Sequence, residues 1–253
     1  MKVIQVVGYS GTGKTRFIEE LIPLLLPHGE VGVIKHLGEH TFSLEEGKDT
    51  TLFYEREGTI SAGIDAEKTV IIVRENRLDH TLRMFSDAGV QFCIVEGFKS
   101  IRFPRIVIGD LETEECVLRN PSPEEVMGAL SRFSEYHTMG GVVQELKKAH
   151  DTSRAGAILT FSGIVREWTE GERIEYLDFN ADLSEKIVVL KNNMEKIPGI
   201  LGVRFYHQKG RLRAGEDITY IAVLAEHRKE ALVAMSEALD ELKRGAHHGR
   251  IDR

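Results

Sequence analysis

The chain has 253 residues, 42% of them hydrophobic, enough for two domains of ordinary size and too apolar for a disordered polymer. Its net charge of −7 sits wholly in the first half: residues 1–135 carry 15 Lys/Arg against 22 Asp/Glu, and residues 136–253 carry 18 of each. Neither half has the basic excess of a nucleic-acid binder, two cysteines exclude a disulfide scaffold, and no charge-free apolar run nears the ~18–20 residues that span a membrane.

Residues 3–7 read as a strand and not as a signal peptide, and Cys93 and Cys116, without C-x-x-C spacing, fit a reducing, cytoplasmic setting. A glycine-rich turn follows, then a helical pattern over 16–26 ended by Pro27. Apolar runs at 31–34, 69–73, 91–95 and 106–108 are further strands, with a helix over 78–87. Val/Ile runs alternating with helices predict an α/β domain with a mostly parallel sheet covered on both faces. Ser122 can cap a last helix over 124–133. After Tyr136 the pattern changes: a Gly140-Gly141 break, a helix over 142–149, then strands at 156–161, 175–179, 203–209 and 217–225. Helices are expected over 184–197 and 229–244, and a charged turn around Ala214-Gly215. Strands without a helix between each pair predict an α+β domain with an antiparallel sheet, so the expected domains are 1–135 and 136–253.

Gly8-Tyr-Ser-Gly-Thr-Gly-Lys14-Thr15 fits the phosphate-loop spacing G-x-x-x-x-G-K-[ST], and it follows a strand and opens a helix, the context that spacing requires. Gly8, Gly11 and Gly13 let the backbone turn so that N–H groups of the loop, Ser10 and Thr12 included, point at phosphate oxygens. The helix N-terminus adds its positive end, Lys14 a charge for the outer phosphates, and Thr15 a hydroxyl for Mg²⁺. Glu96 ends the strand in Val95-Glu96-Gly97-Phe98-Lys99, at the edge where a magnesium-coordinating acid belongs, and Asp49 of Gly47-Lys48-Asp49-Thr50 is a second candidate. Val33-Ile34-Lys35-His36 ends a strand at the same edge. Asn76-Arg77-Leu78-Asp79 is a helix start more than a guanine-reading element, and His36 and His40 belong to a polar loop more than to a metal site.

Taken together, over residues 1–110, these motifs resemble the molybdopterin-guanine dinucleotide biosynthesis adapter family, MobB. The resemblance implies GTP, Mg²⁺ and a supporting role beside a molybdopterin guanylyltransferase.

In the second half, a strand runs into Gly163-Ile164-Val165-Arg166, and another ends in His227-Arg228. With Lys243 these basic groups could converge on an anion, Arg by bidentate contact and His as a proton carrier. Gly163, Val165 and Arg166, Ser184-Glu185-Lys186, Gly215-Glu216-Asp217, His227-Arg228 and Lys243 resemble the catalytic large subunit of molybdopterin synthase, the MoaE family. That resemblance implies sulfur transfer from the C-terminal thiocarboxylate of a ubiquitin-like small subunit to a pterin precursor, cyclic pyranopterin monophosphate. It implies Ile164, Val165, Arg166, His227 and Arg228 as substrate-binding residues, Lys243 and Arg250 as the catalytic pair, and a homodimer. Two departures stand out: Asn180-Ala181 replaces the family's Tyr-Pro, and Arg250 stands where a second lysine belongs. Arg keeps the charge but is a poor proton donor. The sequence thus predicts a fusion of two steps of molybdenum-cofactor biosynthesis. A non-catalytic scaffold and a generic P-loop kinase are the rival readings.

Overall fold

The computed structural model describes residues 1–38, 40, 48–56, 59–169, 172–179, 183–245 and 250–252. Gly47, Asn180-Ala181 and residues 246–249 of the tail lie outside them. The chain forms two compact units, Lys2–Phe85 with Gln91–Glu135, and Tyr136–Arg253 with Met1 and Ser86–Val90.

In the N-terminal unit β1 (Lys2–Val7) leads through the glycine-rich turn into α1 (Lys14–Leu25). There follow β2 (Val31–Lys35), α2 (Asp49–Glu55), β3 (Ile60–Ile64), β4 (Thr69–Val73), α3 (Leu78–Asp87) and β5 (Phe92–Glu96). The unit ends with β6 (Arg105–Val107), β7 (Cys116–Arg119), α4 (Pro123–Gly128) and β8 (Ser134–Glu135). The sheet order is β2–β5–β1–β6–β7 with every one of these neighbours parallel, and β8 runs antiparallel to the start of β1. Strands β1 and β5 are nearly continuous apolar runs because both sheet faces are covered. Ile4, Val6 and Ile94 share one core with Phe17, Ile18 and Leu21 of α1 and Val126 of α4.

Two expectations change here. The run at 69–73 is no member of the parallel sheet; β4 pairs antiparallel with β3, Ile60 opposite Val73 and Ile64 opposite Thr69, as a separate hairpin. A short apolar run carries no period that separates a central strand from one side of a ribbon. The helix expected over 124–133 is shorter, with a 3₁₀ turn at Leu130–Arg132 after α4. Its start is as expected: Ser122 Oγ accepts from the Glu125 amide (3.3 Å) and Glu125 Oε2 accepts from the Ser122 amide (2.7 Å).

The C-terminal unit runs α5 (Met139–Ala149), β9 (Ala157–Ile164), β10 (Trp168–Thr169), β11 (Glu172–Arg173), β12 (Tyr176–Phe179) and α6 (Ser184–Glu195). It continues with β13 (Ile200–His207), β14 (Gly210–Arg213), β15 (Asp217–Ala225), α7 (Arg228–Gly245) and β16 (Arg250–Asp252). Gly140 and Gly141, read as a break, lie in the first turn of α5, where Thr138 Oγ1 accepts from the Gly141 amide (3.0 Å). The central antiparallel sheet is β13–β15–β9, and its two faces carry separate cores. On one, Phe205, Ile221 and Val223 meet Leu190 and Met194 of α6 and Ala231, Ala234 and Met235 of α7. On the other, Tyr220, Ala222 and Leu224 meet Val142 and Leu146 of α5. The expected charged turn contains β14, which joins a second antiparallel sheet, β14–β12–β16; β10 and β11 form a short ribbon.

Candidate functional site

Parallel strands end at one edge of their sheet, so the turns after β1, β2, β5 and β6 gather there. Gly8 lies so close to the Ile108 carbonyl that a β-carbon would collide with it. Gly11 and Gly13 hold φ of +77° and +87°, and nothing stands within 4 Å of where their β-carbons would be. Helix α1 starts directly on Gly13, with no side-chain cap and no acid in its first turn. The first amides of α1, Lys14 and Thr15 among them, therefore lack intrahelical acceptors at the positive end of the helix dipole. Thr12 Oγ1 (3.0 Å) and Lys14 Nζ (2.6 Å) both donate to the Tyr9 carbonyl, while Ser10, Gly11, Gly13 and Thr15 are exposed.

Glu96, the last residue of β5, is only 9% exposed. Thr15 Oγ1 donates to Glu96 Oε2 at 3.5 Å, and Lys35 Nζ lies 3.5 Å from the same oxygen. The β2–β5 register places Lys35 directly beside Glu96. Asp49 opens α2, is exposed, and bonds to neither Thr15 nor Glu96. The His36 amide donates to the Glu96 carbonyl (2.9 Å) and its ring lies 4.5 Å from that of Phe98. Among the described residues no His, Cys, Asp and Glu side chains cluster for a metal, His36 and His40 included. Asn76-Arg77 precedes α3, and Asp79 in its first turn pairs with Arg83 (2.9 Å).

Two residues of this edge escape sequence reasoning. Gln5 is fully buried in β1, and its Nε2 donates to the carbonyls of Gly97 (2.8 Å) and Phe98 (2.9 Å). Both acceptors have left-handed backbones, φ +91° and +51°, a conformation unfavourable for a residue with a β-carbon such as Phe98. Arg105, 3% exposed, donates to the carbonyls of Phe103 (3.2 Å), Lys99 (3.2 Å) and Ile101 (2.6 Å). Between them the two side chains fix the turn that follows Glu96. The one signal for Gln5 is an amide in the middle of Val3-Ile4-Gln5-Val6-Val7, where an apolar residue is the rule.

In the C-terminal unit, the Val165 amide donates to the Glu216 carbonyl (2.9 Å) and the Val165 carbonyl accepts from the Gly215 amide (2.8 Å). Val165 is buried, so it locks the strand end while Ile164 and Arg166 on either side are exposed. Nearby, Asp217 accepts from Ser162 Oγ (2.6 Å) and from the Tyr220 hydroxyl (2.8 Å). On β13, His207 Nδ1 lies 2.6 Å from Thr219 Oγ1, and burial pulls the imidazole pKa down to about 4.

His227 and Arg228 are exposed and follow the other end of β15. Asp217 is paired with Ile164 of β9 and Ala225 with Ala157, so the length of β15, about 27 Å at ~3.3 Å per residue, separates Arg166 from His227-Arg228. The expected convergence of all the basic groups is not met within one chain. Helix α7 starts at Arg228 and packs back over the sheet, Ala231 through Leu242 lying in one core. Fifteen residues of helix rise about 22 Å, which returns the backbone of Lys243 toward the Arg166 end. Strand β16 pairs Arg250 with Asp178 of β12, whose other neighbour β14 runs into the Gly215 turn beside Val165. By backbone position Arg166, Lys243 and Arg250 share one end; the side chains of Lys243 and Arg250 lie outside the described set.

The molybdopterin guanine dinucleotide synthesis protein B family model matches residues 3–130, and the MoaE protein model matches residues 139–245. Over 251 residues the chain is 24% identical to a Haloferax volcanii protein named "Probable molybdopterin synthase", covering 95% of this chain and 92% of that one. Over 92 residues it is 36% identical to the molybdopterin synthase catalytic subunit of Staphylococcus carnosus, 35% of this chain and 61% of that protein, less than two thirds of its length. The solved structure of Bacillus subtilis MobB, at 22% identity, aligns with 54% of this chain and 100% of its own, with a TM-score of 0.41. The chain therefore belongs to the molybdopterin guanine dinucleotide synthesis protein B family through its first half, and joined to that half is a domain of the MoaE protein family.

Proposed function

We propose that this bifunctional molybdenum-cofactor biosynthesis protein binds GTP·Mg²⁺ in its first domain and acts as the molybdopterin synthase large subunit through its second. The observation that carries the reading is the pair of family matches end to end on one chain. The loop fits a triphosphate: Gly11 and Gly13 leave open space where side chains would stand, and α1 begins uncapped behind them. Thr15 and Glu96 offer hard oxygen donors that suit Mg²⁺, while Asp49 hydrogen-bonds to neither. Bound magnesium would neutralise charge on the outer phosphates; Lys14 would add its own charge, and Glu96 would keep its partners in place from the strand end. The partner served by this half would be a molybdopterin guanylyltransferase.

In the second domain Arg166, Lys243 and Arg250 would receive the thiocarboxylate tail of a ubiquitin-like small subunit beside the pterin precursor, Lys243 as proton donor and Arg250 as charge partner. His227 and Arg228 stand about 27 Å away along β15, too far to serve the same site. A homodimer that brings the His227-Arg228 end of one copy to the Arg166 end of the other would complete it. Among the described residues no helix is long and apolar enough to cross a membrane, and burial lifts the Cys93 thiol pKa to about 12, both compatible with the cytoplasmic setting we assign.

The test is mass spectrometry of the pterin after mixing the purified chain with precursor and thiocarboxylated small subunit, alongside titration with GTP and ATP. Sulfur-bearing pterin and a preference for GTP are expected. Binding of both partners with no sulfur transferred would make the second domain a scaffold, and equal affinity for the two nucleotides would remove the guanine assignment.

A further inference from the structure

A carboxylate as enclosed as that of Glu96 calls for a partner of opposite charge. Among the described residues the cation paired with it is Lys35; Lys14 is engaged elsewhere, on the Tyr9 carbonyl. Lys35 Nζ and Thr15 Oγ1 lie at the same distance, 3.5 Å, from the same oxygen, Glu96 Oε2. Thr15 and Glu96 are the two groups assigned above to a divalent cation, so the Lys35 ammonium stands against the oxygen such a cation would take. Its own surroundings let it leave. Lys35 ends β2, an edge strand of the sheet, and its side chain is 51% exposed on a flexible four-carbon arm. Glu96, 11% exposed at the side chain and central in the sheet, stays where it is.

We propose that Lys35 is a tethered counter-ion, holding the cation position at Glu96 Oε2 in the nucleotide-free protein and giving it up when Mg²⁺ arrives with a triphosphate. Two positive groups cannot both contact one carboxylate oxygen without strong repulsion, so binding of the metal includes displacement of Lys35. The lysine holds Glu96 in place without metal, and it sets the magnesium concentration at which the loop takes its ligand. The inference rests on the reading of Thr15 and Glu96 as metal ligands.

The experiment follows binding of a fluorescent GTP analogue to the full chain at fixed nucleotide as Mg²⁺ is raised. Lys35→Met keeps the length of the arm and removes the charge; its magnesium midpoint should fall by roughly three- to tenfold, at or slightly above the range of exposed ion pairs. Lys35→Arg, which grips a carboxylate with two N–H groups, should raise the midpoint, and it retains the charge and bulk that the fold already accommodates. An unchanged or higher midpoint in Lys35→Met overturns the inference, as does a lower one in Lys35→Arg. Glu96→Gln separates the two levels of the argument. If it flattens the magnesium dependence while Lys35→Met leaves the midpoint unmoved, the counter-ion role alone falls. If Glu96→Gln keeps the wild-type dependence, the metal-ligand reading falls and takes the counter-ion role with it.

Discussion

Gln5 shows how much one buried amide can do. Gln5→Leu removes both hydrogen bonds to the turn after Glu96 and leaves two carbonyls without their donor, a loss of roughly 1–3 kcal/mol in stability. A purely structural role would stop there. If the amide positions Glu96 and its turn, the magnesium-dependent part of nucleotide affinity should shrink in Gln5→Leu while the metal-free part holds, measured by titration with and without Mg²⁺. His207 makes a prediction of a different kind. Its pKa is about 4 in the fold against 6.5 for an ordinary histidine, so between those values the unfolded chain binds a proton that the folded chain refuses. Stability contributed by this site is complete above pH 6.5 and falls as the pH drops toward 4. Denaturant melts at pH 7.5 and pH 5 should show the loss, and His207→Gln should lessen the difference between them. An undiminished difference in the variant would assign the pH effect to other groups.

Among the elements, α4 is six residues long and begins with a reciprocal Ser122–Glu125 cap, so its entry depends on those two bonds more than on its own helical length. Ser122→Ala should lower stability by about 1 kcal/mol in thermal melts, and Ser122→Asp should restore most of it. The Ser122 side of that cap was legible in the sequence because the serine lies directly before the helix it starts; the return bond from Glu125 was found in the structure. The phosphate loop was legible because its glycines, lysine and threonine lie within eight positions of one another. What depends on strand order was not. Lys35 meets Glu96 only because β2 lies next to β5, and nothing in Val33-Ile34-Lys35-His36 announces that neighbour. The run at 69–73 reads as sheet interior from its composition, yet Val70 and Ile71 are half exposed on a hairpin. The basic groups of the second domain were each visible, and the register that holds Arg166 and His227 at opposite ends of β15 was not.

At the scale of the whole molecule, the proposed homodimer, in which the Arg166 end of one copy meets the His227-Arg228 end of the other, predicts complementation between copies. Arg166→Ala and His227→Ala should each be inactive in sulfur transfer. When the two are co-expressed, half of the dimers are mixed, and each mixed dimer holds one site with both ends intact, so about a quarter of wild-type activity should return. A mixture as inactive as its parents would mean that the two ends do not serve one site. The join between the domains has a consequence of its own. Strand β8 ends at Glu135 and α5 begins at Met139, so three residues connect the element that closes one unit to the helix that opens the other. A tether this short keeps each domain at an effective concentration on the order of millimolar near its companion, whatever the abundance of the protein. The ratio of phosphate loops to synthase domains is one to one in every assembly, and dilution cannot alter it.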